Sequence, residues 1–282
     1  MKKNLLGVFA GLLLLFFVTR NIDFERVISI LKHINFYFVL LGISIIFLLL
    51  ILKTWRWQLI LGGSRIPKTT LFRILTISYL VNFILPARMG ELARIYLVGR
   101  REKVGISKTA GSILVEKMID TFVLILTALG LGFSSPKFLI FGLTIPPKAI
   151  DKFKSFFSSF KILREKRKLA MTIFITIFIW SFEALWNYSL FLALGFSLSY
   201  WTALFLAVFV NLGLFFPSPP GYFGVFEFLI VTALTFVGVE KTQAFSYAIL
   251  QHLIEAVLLV TLGVWSASKI AFNPFGKKWQ KS

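Results

Sequence analysis

Six of the twelve acidic residues in this chain lie inside strongly apolar segments, where a charged side chain is costly to bury. They are Glu91, Glu116, Asp120, Glu183, Glu227 and Glu255. A charge at the centre of a bilayer costs at least about 2.5–3.5 kcal/mol on insertion scales, so each carboxylate needs a partner or a water-filled cavity. We expect a functional site among them. The alternative for any one acid is structural pairing, such as Glu91 with Arg88 or Arg94, each three residues away, or Glu116 with the adjacent Lys117.

The sharpest candidate site follows a predicted helix break between Pro86 and Gly90. A helix that restarts there presents unpaired backbone N–H groups and the positive end of its dipole. Arg88 adds a planar set of donors that suits phosphate oxygens, and Arg94 follows within two turns. These groups predict a site for an anionic headgroup in which Glu91 orients the arginines. The alternative is a cytoplasmic loop whose arginines only follow the positive-inside rule.

A second break has the sequence PSPPGYFGVFE over residues 217–227. Pro217 ends the preceding helix, while Gly221 and Gly224 allow close approach of the backbone. Glu227 follows inside the next helical piece, facing the first half of the chain. Its expected partners are Arg88, Glu116 or Asp120. The alternative is a carboxylate that only caps or packs its own helix.

Several familiar catalytic patterns are absent from the sequence. There is no P-loop, no H-E-x-x-H motif, no G-x-S-x-G motif and no cysteine, and the two histidines are His33 and His252. We therefore predict no cofactor and no metal site. An enzyme is unsupported by these motifs, although carboxylates and arginines can carry out acid–base chemistry.

The composition places these residues in a membrane protein. Hydrophobic residues make up 57% of the 282 positions and charged residues only 15%, whereas a soluble domain has about 45–50% apolar and about 25% charged residues. The net charge is +19. In a chain held in lipid, we assign this charge to contact with anionic headgroups rather than with nucleic acid.

Hydropathy divides the chain into long and short apolar segments. Residues 5–18 predict an uncleaved anchor helix with a cytoplasmic N-terminus. Residues 53–57 (KTWRW) are interpreted as an interfacial belt. The further predicted spans are 36–60, 109–133, 169–194 and 244–270, and the shorter pieces are 71–86, 91–99, 200–217 and 221–239.

The chain has the signs of a duplication. Trp57 and Asn82 are separated by the same number of residues as Trp186 and Asn211, and each asparagine precedes a Pro-x-x-x-Gly break. In addition, residues 113–125 align with 248–260. This alignment places Glu116 on Gln251 and Asp120 on Glu255.

The basic residues predict the orientation of the two halves. Residues 53–108 carry many lysines and arginines, whereas 195–243 contain only Lys241, so the first stretch is expected inside and the second outside. We predict an all-α polytopic protein of two inverted repeats with re-entrant helices. The predicted units of this single transmembrane domain (1–282) are an anchor helix and loop (1–35), repeat 1 (36–133), a connector (134–168), repeat 2 (169–270) and a basic cytoplasmic tail (271–282). The connector contains a basic amphipathic helix at 148–168, and its topology is left open.

Three motifs together resemble a known family. They are Arg88-x-Gly90-Glu91-x-x-Arg94, Glu116-Lys117-x-x-Asp120 and the 217–227 run. In this order the sequence is similar to the transmembrane domain of lysylphosphatidylglycerol synthetase, a flippase-like family of integral membrane proteins. The resemblance covers about residues 5–270 and implies movement of lipids or lipid-linked molecules between leaflets. We do not expect lysyl transfer, because the resemblance is to the transmembrane domain and not to the synthetase's soluble transferase domain.

The resulting hypothesis is translocation of an anionic lipid in the plasma membrane, either energy-independent or ion-coupled. The predicted substrate-binding residues are Asn82, Arg88, Gly90, Glu91, Arg94, Pro217, Gly221 and Gly224. The predicted pathway and proton-coupling residues are Glu116, Asp120, Glu227 and Glu255. Two alternatives are a membrane enzyme acting on a lipid phosphate and a non-catalytic partner of a synthetase or glycosyltransferase. A homo-oligomer, the identity of the lipid and the mode of energy coupling are left open.

Overall fold

A computed structural model describes residues 2–62, 66–85, 89–134, 165–214 and 219–271, and the regular structure in these ranges is entirely helical. The α-helices are α1 Lys2–Thr19, α2 Phe24–Lys32, α3 Phe36–Ile60, α4 Lys68–Ile84, α5 Gly90–Tyr96, α6 Ile106–Ser134, α7 Lys166–Ala193, α8 Tyr200–Gly213, α9 Val225–Phe236 and α10 Lys241–Ala271. A π-helical turn, Leu97–Arg101, continues α5, and a 3₁₀ turn, Pro220–Tyr222, precedes α9. The predicted all-α class is confirmed.

Three helices are long and apolar enough to cross a membrane, judged by length and composition in the described ranges: α3, α7 and α10. The predicted spans 5–18 and 109–133 lie within the continuous helices α1 and α6. By contrast, α4 has 17 residues and α8 has 14. At about 1.5 Å per residue, both are shorter than the ~30 Å hydrocarbon core.

The short helices are paired in two hairpins. Leu71 near the start of α4 and Val98 just after α5 pack in one buried cluster, so this hairpin begins and ends at the same place. In the second hairpin, Phe205 in α8 contacts Phe236 at the end of α9, with ring centroids 6.1 Å apart. The tips of the two hairpins meet, since the ring of Phe83 lies 6.4 Å from that of Phe223.

The helices of the two halves pack in similar combinations. The pairs α3–α4, α4–α5 and α5–α6 of the first half have counterparts in α7–α8, α8–α9 and α9–α10. The halves join where α3 packs along α7, α4 against α10 and α8 against α6. This arrangement brings residues from both halves to the hairpin tips.

Residues 20–35 contain a helix that the sequence interpretation treated as loop. Asp23 caps α2, since its carboxylate accepts a hydrogen bond of 3.0 Å from the backbone N–H of Arg26. Val27 is buried in the main core, and Phe24 contacts Phe245 of α10. A capping aspartate before apolar residues at helical spacing is a local signal that could have predicted this helix.

The interfacial belt at 53–57 is correct only in part. Trp55 is 41% exposed, but Arg56 and Trp57 are 1% and 0% exposed. Neighbouring residues on a helix point in different directions, so a single aromatic and basic run supplies both a surface residue and two core residues.

Several predicted features lie outside the described residues. These are Pro86, Arg88, Pro217, the stretch 135–164 with most of the basic amphipathic helix, and the tail from residue 272. In the described part, α7 begins at Lys166 and so includes the last residues of the predicted connector.

The packing of α3 on α7 predicts that substitution by alanine has different effects on stability at two helical glycines. A Cβ at Gly42 would overlap the ring of Trp186, whereas one at Gly130 would meet nothing within 4 Å. We expect Gly42→Ala to destabilise the protein by about 1–3 kcal/mol through overpacking. Gly130→Ala, the control, should be neutral or stabilising because Ala favours helices. Unfolding in detergent measures both, and equal midpoints would contradict this account of the α3–α7 contact.

Candidate functional site

A polar cavity of about 220 Å³ lies where the two hairpin tips meet. All four hairpin helices contribute to its wall, together with α6 and α10. Its polar lining residues are Tyr79, Asn82, Glu91, Lys117, Asn211, Tyr222, His252 and Glu255. One water needs only about 10–15 Å³ of such volume, so this central cavity has room for a small polar ligand or a headgroup.

The first half supplies an ion pair to the central cavity. Lys117 Nζ of α6 lies 3.2 Å from Glu91 Oε1 of α5, and these side chains are 38% and 25% exposed. Glu91 therefore pairs with Lys117 and not with Arg94, the partner suggested by its spacing. Because both charged groups remain partly accessible, an entering anion can contact Lys117 without first breaking a buried pair.

The second half supplies an equivalent pair. His252 Nδ1 of α10 is hydrogen-bonded to Glu227 Oε1 of α9. The rings of Phe223 and Phe226 each lie 4.9 Å from the imidazole and hold it in place. In the alignment of the two halves, His252 occupies the position of Lys117.

Glu255 differs from the other intramembrane acids. Its Oε1 accepts hydrogen bonds from Gln251 Nε2 at 2.9 Å and from Trp186 Nε1 at 3.2 Å. No cation of the described ranges lies within ion-pair distance of it. Glu255 lines the central cavity and also a side cavity of about 140 Å³, which contains the pair of Lys53 and Glu183. It therefore stands between the two polar spaces.

The remaining acids form a buried ion cluster with two arginines: Arg56, Arg94, Glu116 and Asp120. Arg94 donates two hydrogen bonds to Glu116, of 2.7 and 3.3 Å, and its guanidinium lies 3.9 Å from the ring centroid of Trp57. Arg56 donates to Asp120 Oδ2 at 3.0 Å and lies 3.5 Å from Glu116. The cluster joins α3, α5 and α6, and Thr176 of α7 accepts a further bond from Arg56.

Both hairpins are held at their tips by local hydrogen bonds. Asn82 Oδ1 accepts a 2.7 Å hydrogen bond from the N–H of Gly90, and a Cβ at Gly90 would overlap the carbonyl oxygen of Ser78. In the second hairpin, Glu227 Oε2 accepts a 2.7 Å hydrogen bond from the N–H of Gly224. Gly221 and Gly224 have φ of +67° and +83°, a region that favours glycine. The capping interpretation of Glu227 is thus part of its structural role.

The structure divides the predicted site residues into two groups. Asn82, Glu91 and Glu255 line the central cavity, and Glu227 stands directly behind His252. By contrast, Arg94, Glu116 and Asp120 belong to the buried ion cluster and do not line the central cavity. Of the expected partners of Glu227, Arg88 lies outside the described residues. Glu116 and Asp120 pair with arginines instead, and the partner of Glu227 among the described residues is His252.

Sequence reasoning did not single out Lys117 and His252 as cavity residues. The available signal was the alignment of 113–125 with 248–260, which places these two basic side chains at the same position of the repeat. Among the described residues, no group of three His, Asp or Glu side chains is arranged to hold a metal ion.

Comparison with known proteins identifies the family. The model of the lysylphosphatidylglycerol synthase transmembrane region matches residues 4–145 and 127–263. The chain belongs to this family. It is also 26% identical over 212 residues to the UPF0104 membrane protein MJ1078 of Methanocaldococcus jannaschii, a match that covers 65% of this chain and 91% of the relative. No solved structure matches the chain.

Membership of the lysylphosphatidylglycerol synthase transmembrane family confirms the resemblance drawn from the three motifs. Both matched stretches reach the central cavity: the first contains Glu91 and Lys117, and the second contains His252 and Glu255. In this family member, the cavity is therefore built jointly by the two stretches.

The buried ion cluster predicts a large difference between two arginine substitutions. Arg56→Met leaves Asp120 without its cation and should cost about 3–5 kcal/mol of unfolding free energy. The control is Arg26→Met, which removes a half-exposed pair with Glu240 and should cost less than about 1 kcal/mol. Denaturant unfolding in detergent measures both changes.

A second substitution tests whether the unpaired charge is the cause. Asp120→Asn combined with Arg56→Met removes the orphaned carboxylate, so the double variant should recover part of the lost stability. If Arg56→Met cost no more than Arg26→Met, or if the double variant were less stable than Arg56→Met alone, the proposed role of the cluster would be wrong.

Proposed function

We propose that this protein moves an anionic phospholipid or lipid-linked molecule between the leaflets of the plasma membrane, with the headgroup passing through the central cavity. The observation that carries this proposal is a polar cavity at the meeting point of two broken-helix hairpins, with a partly exposed lysine in its wall. Broken helices that meet at a polar site are the arrangement found in many membrane transporters.

Two basic side chains of the cavity can contact an anionic headgroup, although Glu91 and Glu255 add two acidic groups to the same wall. Lys117 and, when protonated, His252 offer positive charge from opposite halves of the chain. Asn82, Asn211 and Tyr79 add neutral polar groups around them. Lys117 is paired with Glu91 when no anion is bound. When a phosphate binds, Lys117 therefore exchanges one negatively charged partner for another. This exchange limits the cost of releasing the headgroup again.

The two hairpins supply the proposed path. We propose that α4–α5 enters the membrane from the cytoplasm and α8–α9 from the outside, as in inverted repeats. The basic residues of the first hairpin support this orientation, because Lys68, Lys103 and Lys108 lie near one end of the bundle. At the other end, the second hairpin and its flanks contribute Lys241, which lies beside Arg20 and the pair of Arg26 with Glu240. Glu255 and the side cavity extend the polar surface beyond the hairpin tips. Under this orientation the N-terminus is cytoplasmic.

The residues predicted from the sequence take separate roles in this proposal. Arg88 is a proposed first contact for the phosphate near the break, and Pro217 with Gly221 forms the hinge of the second hairpin. Arg94 acts indirectly by fixing α5 through Glu116. Glu227 and Glu255 are the proposed proton-coupling groups, while Asp120 stabilises the frame through Arg56.

A second candidate function is an enzyme that acts on a lipid phosphate. It is favoured by the pairing of His252 with Glu227 at the cavity wall, since an imidazole held by a carboxylate is a common general base. Formation of a product from labelled lipid by the purified protein would distinguish an enzyme from a translocator. A partner role for the basic segment 148–168 would instead predict loss of co-purifying synthetase or glycosyltransferase when that segment is neutralised.

Translocation is tested by neutralising the cavity lysine. In proteoliposomes with a leaflet-selective quenching assay, Lys117→Gln should slow movement of a fluorescent phosphatidylglycerol at least tenfold. A hydrogen bond to a charged group contributes about 1.5–3 kcal/mol, and about 1.4 kcal/mol corresponds to a factor of ten. The matched control is Lys108→Gln, an exposed lysine near the start of the same helix.

The control defines the result that would overturn the assignment. Equal rates in folded Lys117→Gln and wild-type protein would exclude Lys117 from the path. Equal slowing by Lys108→Gln would show that only the overall charge matters. Absence of lipid movement by wild-type protein would contradict the proposed function as a whole.

The orientation is tested separately with cysteine labelling, which needs no background removal because the chain has no cysteine. An impermeant thiol reagent added to intact cells should label Asn21→Cys and leave Lys103→Cys unlabelled until the membrane is opened. Both residues lie in turns between helices. The reverse labelling pattern would invert the proposed topology.

A further inference from the structure

A groove with no assigned role lies between α3, α4 and α10, at the end of the bundle where α4 begins. It has a volume of about 350 Å³, larger than the central cavity. Its wall includes Ile51, Trp55, Lys68, Phe72, Arg73 and Trp265. This tryptophan groove shares no lining residue with the central cavity or the side cavity.

The two cations of the groove are positioned over indole rings. Lys68 Nζ lies 5.4 Å from the ring centroid of Trp55, and the guanidinium carbon of Arg73 lies 5.6 Å from that of Trp265. A cation–π contact at this distance is weakly stabilising and limits the motion of a flexible basic side chain. It does not use the hydrogen-bond donors of the cation. Of the described residues that line the groove, none is acidic, so both positive charges are available to an anion.

The other part of the wall is apolar and faces outward. Ile51 is 55% exposed, and Trp55 and Trp265 are 41% and 46% exposed. Ile51 and Phe72 extend the groove beyond the cations with hydrocarbon surface. A ligand that fits both regions needs a negatively charged head and an apolar chain. Tryptophan and basic residues together are also typical of the level of lipid headgroups in a membrane.

We propose that the tryptophan groove binds an anionic phospholipid of the surrounding bilayer, with its phosphate on Lys68 and Arg73 and an acyl chain along Ile51 and Phe72. Lysine contributes a mobile point charge and arginine a planar pair of donors, so together they can hold two phosphate oxygens. Basic pockets between membrane helices bind acidic headgroups by the same physics. The site is peripheral and does not depend on the proposed translocation.

The binding is tested by quenching tryptophan fluorescence with brominated lipids. Purified protein in neutral detergent is titrated with brominated phosphatidylglycerol and, in parallel, with brominated phosphatidylcholine. We expect saturable quenching at a lower mole fraction of the anionic lipid. The double variant Lys68→Gln/Arg73→Gln should raise its half-saturation point at least tenfold and leave the phosphatidylcholine titration unchanged.

A matched control separates the groove from general surface charge. Lys32→Gln/Lys108→Gln removes the same net charge from exposed residues of α2 and α6, and should bind phosphatidylglycerol as wild type does. Trp55→Phe/Trp265→Phe should lose most of the saturable quenching, because it removes the fluorophores nearest the lipid. Unfolding midpoints verify that each variant is folded. If the double variant Lys68→Gln/Arg73→Gln does not fold, the single variant Lys68→Gln, at an exposed site, replaces it.

Three outcomes would overturn the proposal. The first is an equal rise of the half-saturation point for phosphatidylglycerol in the groove variant and in the control variant. The second is an equal half-saturation point for the two lipids in the wild-type protein. The third is full displacement of the lipid by equimolar soluble glycerol phosphate. The last would show that a free phosphate suffices and that the apolar wall contributes nothing. Because the readout is binding alone, the result is independent of whether Lys117→Gln alters lipid movement.

Discussion

The pairing of charges away from water organises the interior of this protein. Each acid in an apolar segment must find a partner there, because an unpaired charge in a medium of low dielectric constant is unstable. Five of the six intramembrane carboxylates have a basic partner in the described structure, and Glu255 has two neutral donors. The tightest group, Arg56 and Arg94 with Glu116 and Asp120, fixes α3, α5 and α6 relative to one another and so positions the first hairpin.

The two halves use related positions for different purposes. In the first half, Glu116 and Asp120 are bound by arginines inside the packed frame. Their counterparts in the alignment, Gln251 and Glu255, have no arginine partner among the residues that the structure describes, and Glu255 faces two cavities. The same helix position therefore stabilises structure in one half and provides open polar surface in the other. This asymmetry gives the molecule both a packed ion cluster and a cavity with polar side chains in its wall.

The tryptophans show how the same residue type serves the interior and the surface. Trp57 and Trp186 are buried, where their indole N–H groups donate to Ser112 and Glu255. Trp55 and Trp265 are partly exposed and lie beneath cations. A buried indole needs a hydrogen-bond acceptor, whereas an exposed one can offer its face to a positive charge. The central cavity and the tryptophan groove are thus two distinct spaces in one bundle, the first with many polar side chains and the second with two cations on a largely apolar wall.

The sequence alone determined that this is a helical membrane protein with two proline and glycine breaks and six acids in apolar surroundings. Composition, segment length and helix-breaking residues act locally, so they can be recognised without knowing the fold. The partners of those acids were decided by the tertiary structure. Glu91 pairs with Lys117 rather than with Arg94 of its own helix, and Glu227 pairs with His252 of α10. Which side chains meet across helices depends on how the helices pack, because the free energy of a buried pair depends on contacts between residues distant in the chain.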